Sequence, residues 1–425
     1  MAAQPKLLQQ TILDGGIRAV NFFNGRLLTG EDLSREQTAR READRRLGIA
    51  LGDGIAWGLE VQKIEHPLGT AVKVEAGLAI NRKGQTLHLP NAIELLLSDR
   101  SAPKVAITRS FSDCNIKGGS ISASPGIYLL TIAPDEASEG YARSQSLDEG
   151  TVQCNSDALV EAVQIRMLRL EVEKDAGTRE AAAKGDYDRL RNAVAWQCFG
   201  LDSMANFLID PLRMPATLPD PLQVLAGKAY TACDVPLAIV NITTKIEFVD
   251  LWSVRRRPTP RGNSGAFAYP LEDRRRAEGE AMFLQFQTQL TSMTAANGDV
   301  RNLVARDKFV QLPAVGMLPL PGDEAGDTAA IASFFAGCTT RGPAFIEGAR
   351  LETLLRDSYN YPPIDPSSGE LIWLYWVRQN RQAIDLKITP TPRACLVYAS
   401  GHMSYLADAR FDVARWDYSN YALDI

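Results

Sequence analysis

The chain is poor in the residues that metal and thiol chemistry require. Its 425 residues include three histidines, His66, His88 and His402, far apart and in no His-x-x-x-His or His-Glu-x-x-His arrangement. A zinc or iron centre needs several converging ligands, so no metal site is expected. His88, between Leu87 and Leu89, reads as a surface-facing strand residue. The six cysteines, Cys114, Cys154, Cys198, Cys233, Cys338 and Cys395, include no Cys-x-x-Cys. They are expected to be ordinary reduced thiols, several of them buried, with Cys114 and Cys154 the pair to test in an oxidising setting. No apolar run approaches the roughly 20 residues that span a bilayer. The start, MAAQPKLLQQTILDGG, has no basic segment ahead of an apolar core, so synthesis and folding in the cytoplasm are expected. There is no internal repeat and no low-complexity tract.

Motifs for catalysis are also lacking. Ser264 sits in Gly-Asn-Ser-Gly, without the G-x-S-x-G spacing of a nucleophile elbow. Gly52-Asp53-Gly54-Ile55-Ala56-Trp57-Gly58 has its third glycine one residue late for a dinucleotide loop. It also follows a helix and precedes a strand, the reverse of the order that aims N–H groups at a pyrophosphate, so a tight turn is expected. Carboxylate pairs for glycoside hydrolysis carry no weight when 51 acids are available. The formal net charge of −5 offers no bulk attraction to nucleic acid or to an anionic membrane.

What is present is a globular composition, 45% apolar and 23% charged, on a chain long enough for two or three domains. Period-2 alternation in GLEVQKI from Gly58, AVKVEAGLAIN from Ala71 and TLHLPNAIELLL from Thr86 predicts strands, with a hairpin turn at Arg82-Lys83-Gly84. KVAITRS from Lys104, GIYLLTIAPDE from Gly126 and AVQIRMLRLEV from Ala162 continue them, and the polar stretch 137–157 reads as an exposed loop. Leu190, Val194 and Cys198 have helical spacing, with Gly200 at the end. A Pro-rich stretch, 211–221, reads as a linker. DVPLAIVNITTKIEFVDLWSV predicts two strands, the first buried. A helix is expected from Leu271 to Thr294 with Met282, Phe286 and Leu290 on one face, and a short one from Glu347 to Asp357. LIWLYWV and RACLVYAS complete the strands, and the aromatic C-terminus RFDVARWDYSNYALDI reads as an edge strand or a docking segment. The expected class is α+β and multidomain: a helix and small β domain over 1–100, a β-rich domain over 101–210, and an α+β domain over 211–425.

The richest segment is 21–61. Asn21-Phe22-Phe23-Asn24-Gly25 puts two rings before an Asn-Gly turn, which the rings are expected to anchor. Thr29 reads as an N-cap, with Glu31 and Asp32 in the first turn and Gly48 as the stop. The pairs Glu31–Arg35, Glu36–Arg40 and Glu42–Arg46 have i,i+4 spacing. Only Leu33, Ala39, Ala43 and Leu47 form an apolar line, so the helix either lies on the surface or completes its packing against another subunit. Arginines concentrate at Arg255-Arg256-Arg257, Arg261 and Arg274-Arg275-Arg276. Pairing with carboxylates of another subunit is favoured over an anion-binding surface, because no stacking aromatics interleave, and plain solvation stays open for the Arg274 triplet. Trp373, Tyr375 and Trp376, with Phe345 and Tyr361, are either a carbohydrate platform or, as the two apolar faces of LIWLYWV favour, a buried strand.

Segment 21–61 resembles the N-terminal region of a family of proteins encoded with phage-tail-like contractile injection systems. The resemblance continues at Cys233-Asp234-Val235-Pro236-Leu237-Ala238, FVDLWSVRRRPT from Phe248, QLPAVGMLPL from Gln311, YPPID from Tyr361 and WLYWVRQN from Trp373. It implies a non-enzymatic particle component of baseplate, fibre or cap type, associated with the particle and without cofactor, whose partners are other subunits in a symmetric assembly. Glu31, Arg35, Glu36, Arg40, Arg255, Arg256 and Arg257 are the expected interface residues. The alternative is a carbohydrate-binding or carbohydrate-cleaving surface-recognition module.

Overall fold

The structure, a computed structural model, describes residues 16–67, 69–97, 124–140, 142–144, 153–155, 157–200, 220–260, 273–297, 300–320, 328–378 and 395–403. The strand expected at 104–110, most of the Pro-rich stretch, Arg261, Ser264 and the C-terminal segment 404–425 lie outside these residues. The protein is α+β and multidomain.

Helix α1 (Gly30–Leu51) leads into β1 (Gly54–Gly58), β2 (Val61–His66), β3 (Gly69–Val74), β4 (Gly77–Ile80), β5 (Thr86–Leu89) and β6 (Ile93–Leu96). These strands form two small antiparallel sheets, β1-β4-β5 and β2-β3-β6. The next unit begins with a long hairpin arm. In it β7 (Gly126–Glu139) pairs with β10 (Ala158–Arg169) along both lengths, and beyond them β8 (Ala142–Ser144) pairs with β9 (Gln153–Asn155). The polar stretch 137–157 is therefore largely the end of an arm, not a loop.

Helices α2 (Ala176–Ala183), α3 (Asp188–Phe199) and α4 (Pro221–Ala226) precede β11 (Val235–Ile242) and β12 (Ile246–Asp250). The middle sheet has the order β10-β7-β11-β12, so the expected boundary at 210/211 falls between strands of one sheet. Alternation divides β7 cleanly. Tyr128, Leu130 and Ile132 pack on the N-terminal sheets, while Ile127 and Leu129 pack on Leu190, Val194 and Cys198 of α3. With both faces covered, β11 is apolar apart from the buried Asn241, as suits an interior strand.

The last unit runs through α5 (Asp273–Asn297), α6 (Ala305–Lys308), β13 (Val315–Pro319), α7 (Thr328–Phe334), β14 (Thr339–Glu347), α8 (Gly348–Ser358), β15 (Leu371–Arg378) and β16 (Cys395–Ser400). Its sheet has the order β13-β16-β15-β14, with β14 and β15 parallel across α8. Phe286 and Leu290 of α5 cover one face against Ile372, Leu374 and Trp376. Leu354 of α8 and Tyr375 belong to the other. Tyr375 and Trp376 are thus core residues of an interior strand, and Trp373 is half-buried beneath the Arg341 guanidinium, 5.4 Å from the ring centroid.

Helix α3 joins the middle and C-terminal units. The buried Asn192 Oδ1 accepts from the Val310 and Gln311 amides at 2.7 and 3.0 Å, and the Trp196 indole donates to the Gln311 carbonyl at 3.0 Å. Cys198, Cys338 and Cys395 are free thiols; burial raises all three, to about 12 for Cys198 and about 11 for Cys395. Cys233, by contrast, is disulfide-bonded, which corrects the expectation of reduced thiols throughout. The side chains of Cys114 and Cys154 lie outside what is described.

Candidate functional site

Thr29 caps α1 through a reciprocal box: its hydroxyl accepts the Asp32 amide and the Asp32 carboxylate accepts the Thr29 amide, both at 3.2 Å. The Thr29 amide, followed by the Thr29 hydroxyl and Arg26, holds the Asp32 carboxyl below its usual range. Arg26 also donates to the Asn21 carbonyl at 2.8 Å and to Asp32 at 2.6 Å. The turn is therefore organised by Arg26 and by Gly25 at φ +90°, while Phe22 and Phe23 are 53% and 62% exposed. This corrects the expectation that the rings anchor it.

Gly48 does not end the helix; Gly52 does, at φ 93°. Gly48 is needed for contact, since a Cβ there would lie 2.1 Å from the Gly84 carbonyl oxygen. A Cβ on Gly52 would lie 1.9 Å from the Thr259 oxygen. The C-terminal end of α1 is thereby pinned against two backbone segments. Elsewhere the helix touches its own chain little: of its 22 residues only Asp32, Ala39 and Gly48 are buried. Glu42 and Arg46 pair at 3.4 Å. Half-buried Glu36 accepts the Val20 amide at 3.0 Å. Glu31, Arg35 and Arg40 are exposed. Arg41 reaches Glu136 on the hairpin arm at 3.6 Å.

The apolar side of this region is uncovered. Of fourteen large apolar side chains exposed among the described residues, ten lie between Ile17 and Trp57, including Leu27 at 86% and Leu47 at 65%. A concentration of this kind marks an interaction surface, whereas scattered exposed leucines do not.

The arginine triplet is placed differently from the expectation. Arg255 is buried and donates to the Gly58 carbonyl at 2.6 Å and to Glu60 at 3.3 Å. Arg256 donates to the carbonyls of Trp252 and Ser253 and lies 4.8 Å from the Phe199 ring centroid. Only Arg257 faces outward, paired with Glu280 at 3.1 Å. The first two guanidiniums tie the segment after β12 to β1 and α3 within the chain. In the second triplet Arg275 is 2% exposed and donates to the Tyr361 carbonyl, so solvation does not describe it.

The buried charges missed by sequence reasoning sit in the middle sheet. Asp234 takes Arg166, Thr131 Oγ1 at 2.9 Å and the Thr231 hydroxyl at 2.8 Å. Asp250 takes Arg191 at 2.5 Å, Ser253 and Gln285. Burial alone would raise the Asp250 carboxyl; Arg191 and Ser253 outweigh it and hold it low. A lone acid inside an apolar strand pattern is the signal that would have found them.

A cleft between the units is lined by Asp53, Asp220, Arg256, Arg274 and Glu278. Its charges are matched, with Arg274 at 3.5 Å from Asp53 and 3.7 Å from Glu278, and Arg82 at 2.7 Å from Asp220. Among the described residues no group of three His, Cys, Asp or Glu is placed to hold a metal, and no helix is long and apolar enough to cross a membrane. Neither a scan against protein-family models nor a search of curated proteins finds a match for the chain.

Proposed function

We propose that this chain is a non-enzymatic structural subunit of a phage-tail-like contractile injection particle, working through repeated protein contacts. The observation that carries the reading is the uncovered apolar surface of residues 17–57, on and beside a helix that buries three residues yet is capped at its N-terminus and pinned at its C-terminus. A helix so exposed on one chain gains most of its stabilisation from a partner. The sequence resemblance supplies the kind of particle. The motifs that carry it are structural: CDVPLA contributes Asp234 and the start of β11, FVDLWSVRRRPT contributes Asp250, Arg255 and Arg256, and WLYWV lies in β15. Of the aromatic residues that favoured a sugar platform, Tyr375 and Trp376 are buried in that strand and Trp373 and Tyr361 pack half-buried against its core, which weakens the alternative.

The test is to sediment native particles from the source cells, identify accompanying proteins by mass spectrometry and image the fraction. Co-sedimentation with sheath and tube proteins is expected. A chain found only in the soluble low-mass fraction overturns the proposal.

A further inference from the structure

Along α1 runs a line of exposed residues, Leu33, Gln37, Arg40, Asp44, Leu47 and Leu51, of which Asp44 also borders a cleft against Gly84 and Gln85. Leu33 is 52%, Leu47 65% and Leu51 61% exposed. The line advances by four, three, four, three and four residues, the seam of a helix that packs on another helix. Neither Arg40 nor Asp44 takes an ion-pair partner among the described residues.

The spacing is the same read from either end, and Arg40 and Asp44 stand symmetrically about its midpoint at Glu42. This symmetry selects the occupant. A second copy laid antiparallel sets Leu33 against the partner subunit's Leu51, Gln37 against the partner subunit's Leu47, and Arg40 against the partner subunit's Asp44. A two-fold axis makes each contact twice. A parallel pair would set arginine on arginine and aspartate on aspartate.

We propose that α1 is a self-recognition element that pairs antiparallel with α1 of a second copy of this chain. The proposal rests on the reading of this region as an assembly surface, not on the kind of particle.

The test uses the full chain carrying Leu33→Cys and Leu51→Cys. Within one helix these positions lie about 27 Å apart, at 1.5 Å per residue, far beyond disulfide reach. Mild oxidation is expected to give a covalent dimer from the double variant and from a mixture of the two single variants, but not from either single variant alone or from the unaltered chain. In sedimentation equilibrium, Arg40→Asp and Asp44→Arg each raise the dimer Kd about tenfold, since symmetry doubles each like-charge contact. The combined R40D/D44R returns it to within about threefold. All these positions are exposed, so unchanged circular dichroism checks the fold. Self-crosslinking of the Leu33→Cys variant, no rescue by the combined exchange, or a chain monomeric at every concentration overturns the proposal. A monomeric chain that still travels with the particle overturns the pairing alone; a dimer absent from particles overturns the particle reading alone.

Discussion

Asp250 shows how much of this protein's order depends on single buried charges. Its carboxylate lies at the end of β12, 1% exposed, and meets Arg191 of α3, itself 6% exposed. Replacing one partner of such a pair leaves the other charge buried without its counter-ion, which costs about 3–5 kcal/mol, whereas loss of an exposed pair costs about 0–1 kcal/mol. Asp250→Asn is therefore expected to lower the denaturant midpoint strongly. Arg257→Ala, at a pair whose side chains are 49% and 39% exposed, should change it by less than about 1 kcal/mol. Equal effects would mean that the buried pair does not hold α3 to the sheet. The same division between buried and exposed charge runs through the arginine triplet, where Arg255 is buried on the Gly58 carbonyl and Arg257 is exposed, a difference that three adjacent identical residues do not show in sequence.

At the scale of elements, caps and periodicity account for most of what was legible. Asp175 caps α2, accepting the Thr178 amide at 2.6 Å, with Arg189 at 3.0 Å. Burial would raise its carboxyl, but Thr178 and Arg189 hold it at about 2, below the ordinary 3.8. A carboxyl depressed by folding stabilises above its unfolded pKa and loses that contribution as pH falls through the folded one. Asp175→Ala should thus cost about 1 kcal/mol near neutral pH, the usual worth of an N-cap. The difference from the unaltered chain should shrink from about pH 4 to about pH 2, as read from denaturant midpoints. A difference constant down to pH 2 would rule out the charged cap. The same logic made Thr29, Leu190 to Cys198 and Met282 to Leu290 readable in advance, since caps and 3.6-residue spacing are local. Gly48 was misread because its cause is distant: the Gly84 carbonyl occupies the place of a side chain. The hairpin arm was misread as a loop because strands that leave the core lose apolar alternation, and Leu159 and Val160 are both exposed there. Strand β14, with Gly-Pro in its middle and its register shifted between Arg341 and Ala344, gives no period-2 signal.

For the whole molecule, the decisive feature is that the middle sheet is assembled from distant parts of the chain. The Pro-rich stretch 211–221 reads as a linker and puts the expected boundary at 210/211; nothing local reveals that β11 returns to lie between β7 and β12. Ile239 is buried between Ile127, Leu129 and α3, while Leu237 and Val240 face the N-terminal sheets. A fragment ending at residue 210 would expose both layers at once, because β7 would lose its partner edge and each face a row of fully buried side chains. Long-range pairing of this kind rewards the chain only after its closure entropy has been met, so the two parts are expected to fold together. Fragments 1–210 and 211–425 expressed separately should each lack cooperative unfolding, and co-expression should restore a single transition with the protection pattern of the intact chain in hydrogen exchange. An independently folded 1–210 would show that the N-terminal sheets and the hairpin arm form a self-sufficient domain, and that the C-terminal strands merely dock on it. The outcome bears on assembly as well, because α1 and its apolar flank are carried by the N-terminal sheets, and their position relative to the rest of the chain depends on β11 holding the two halves together.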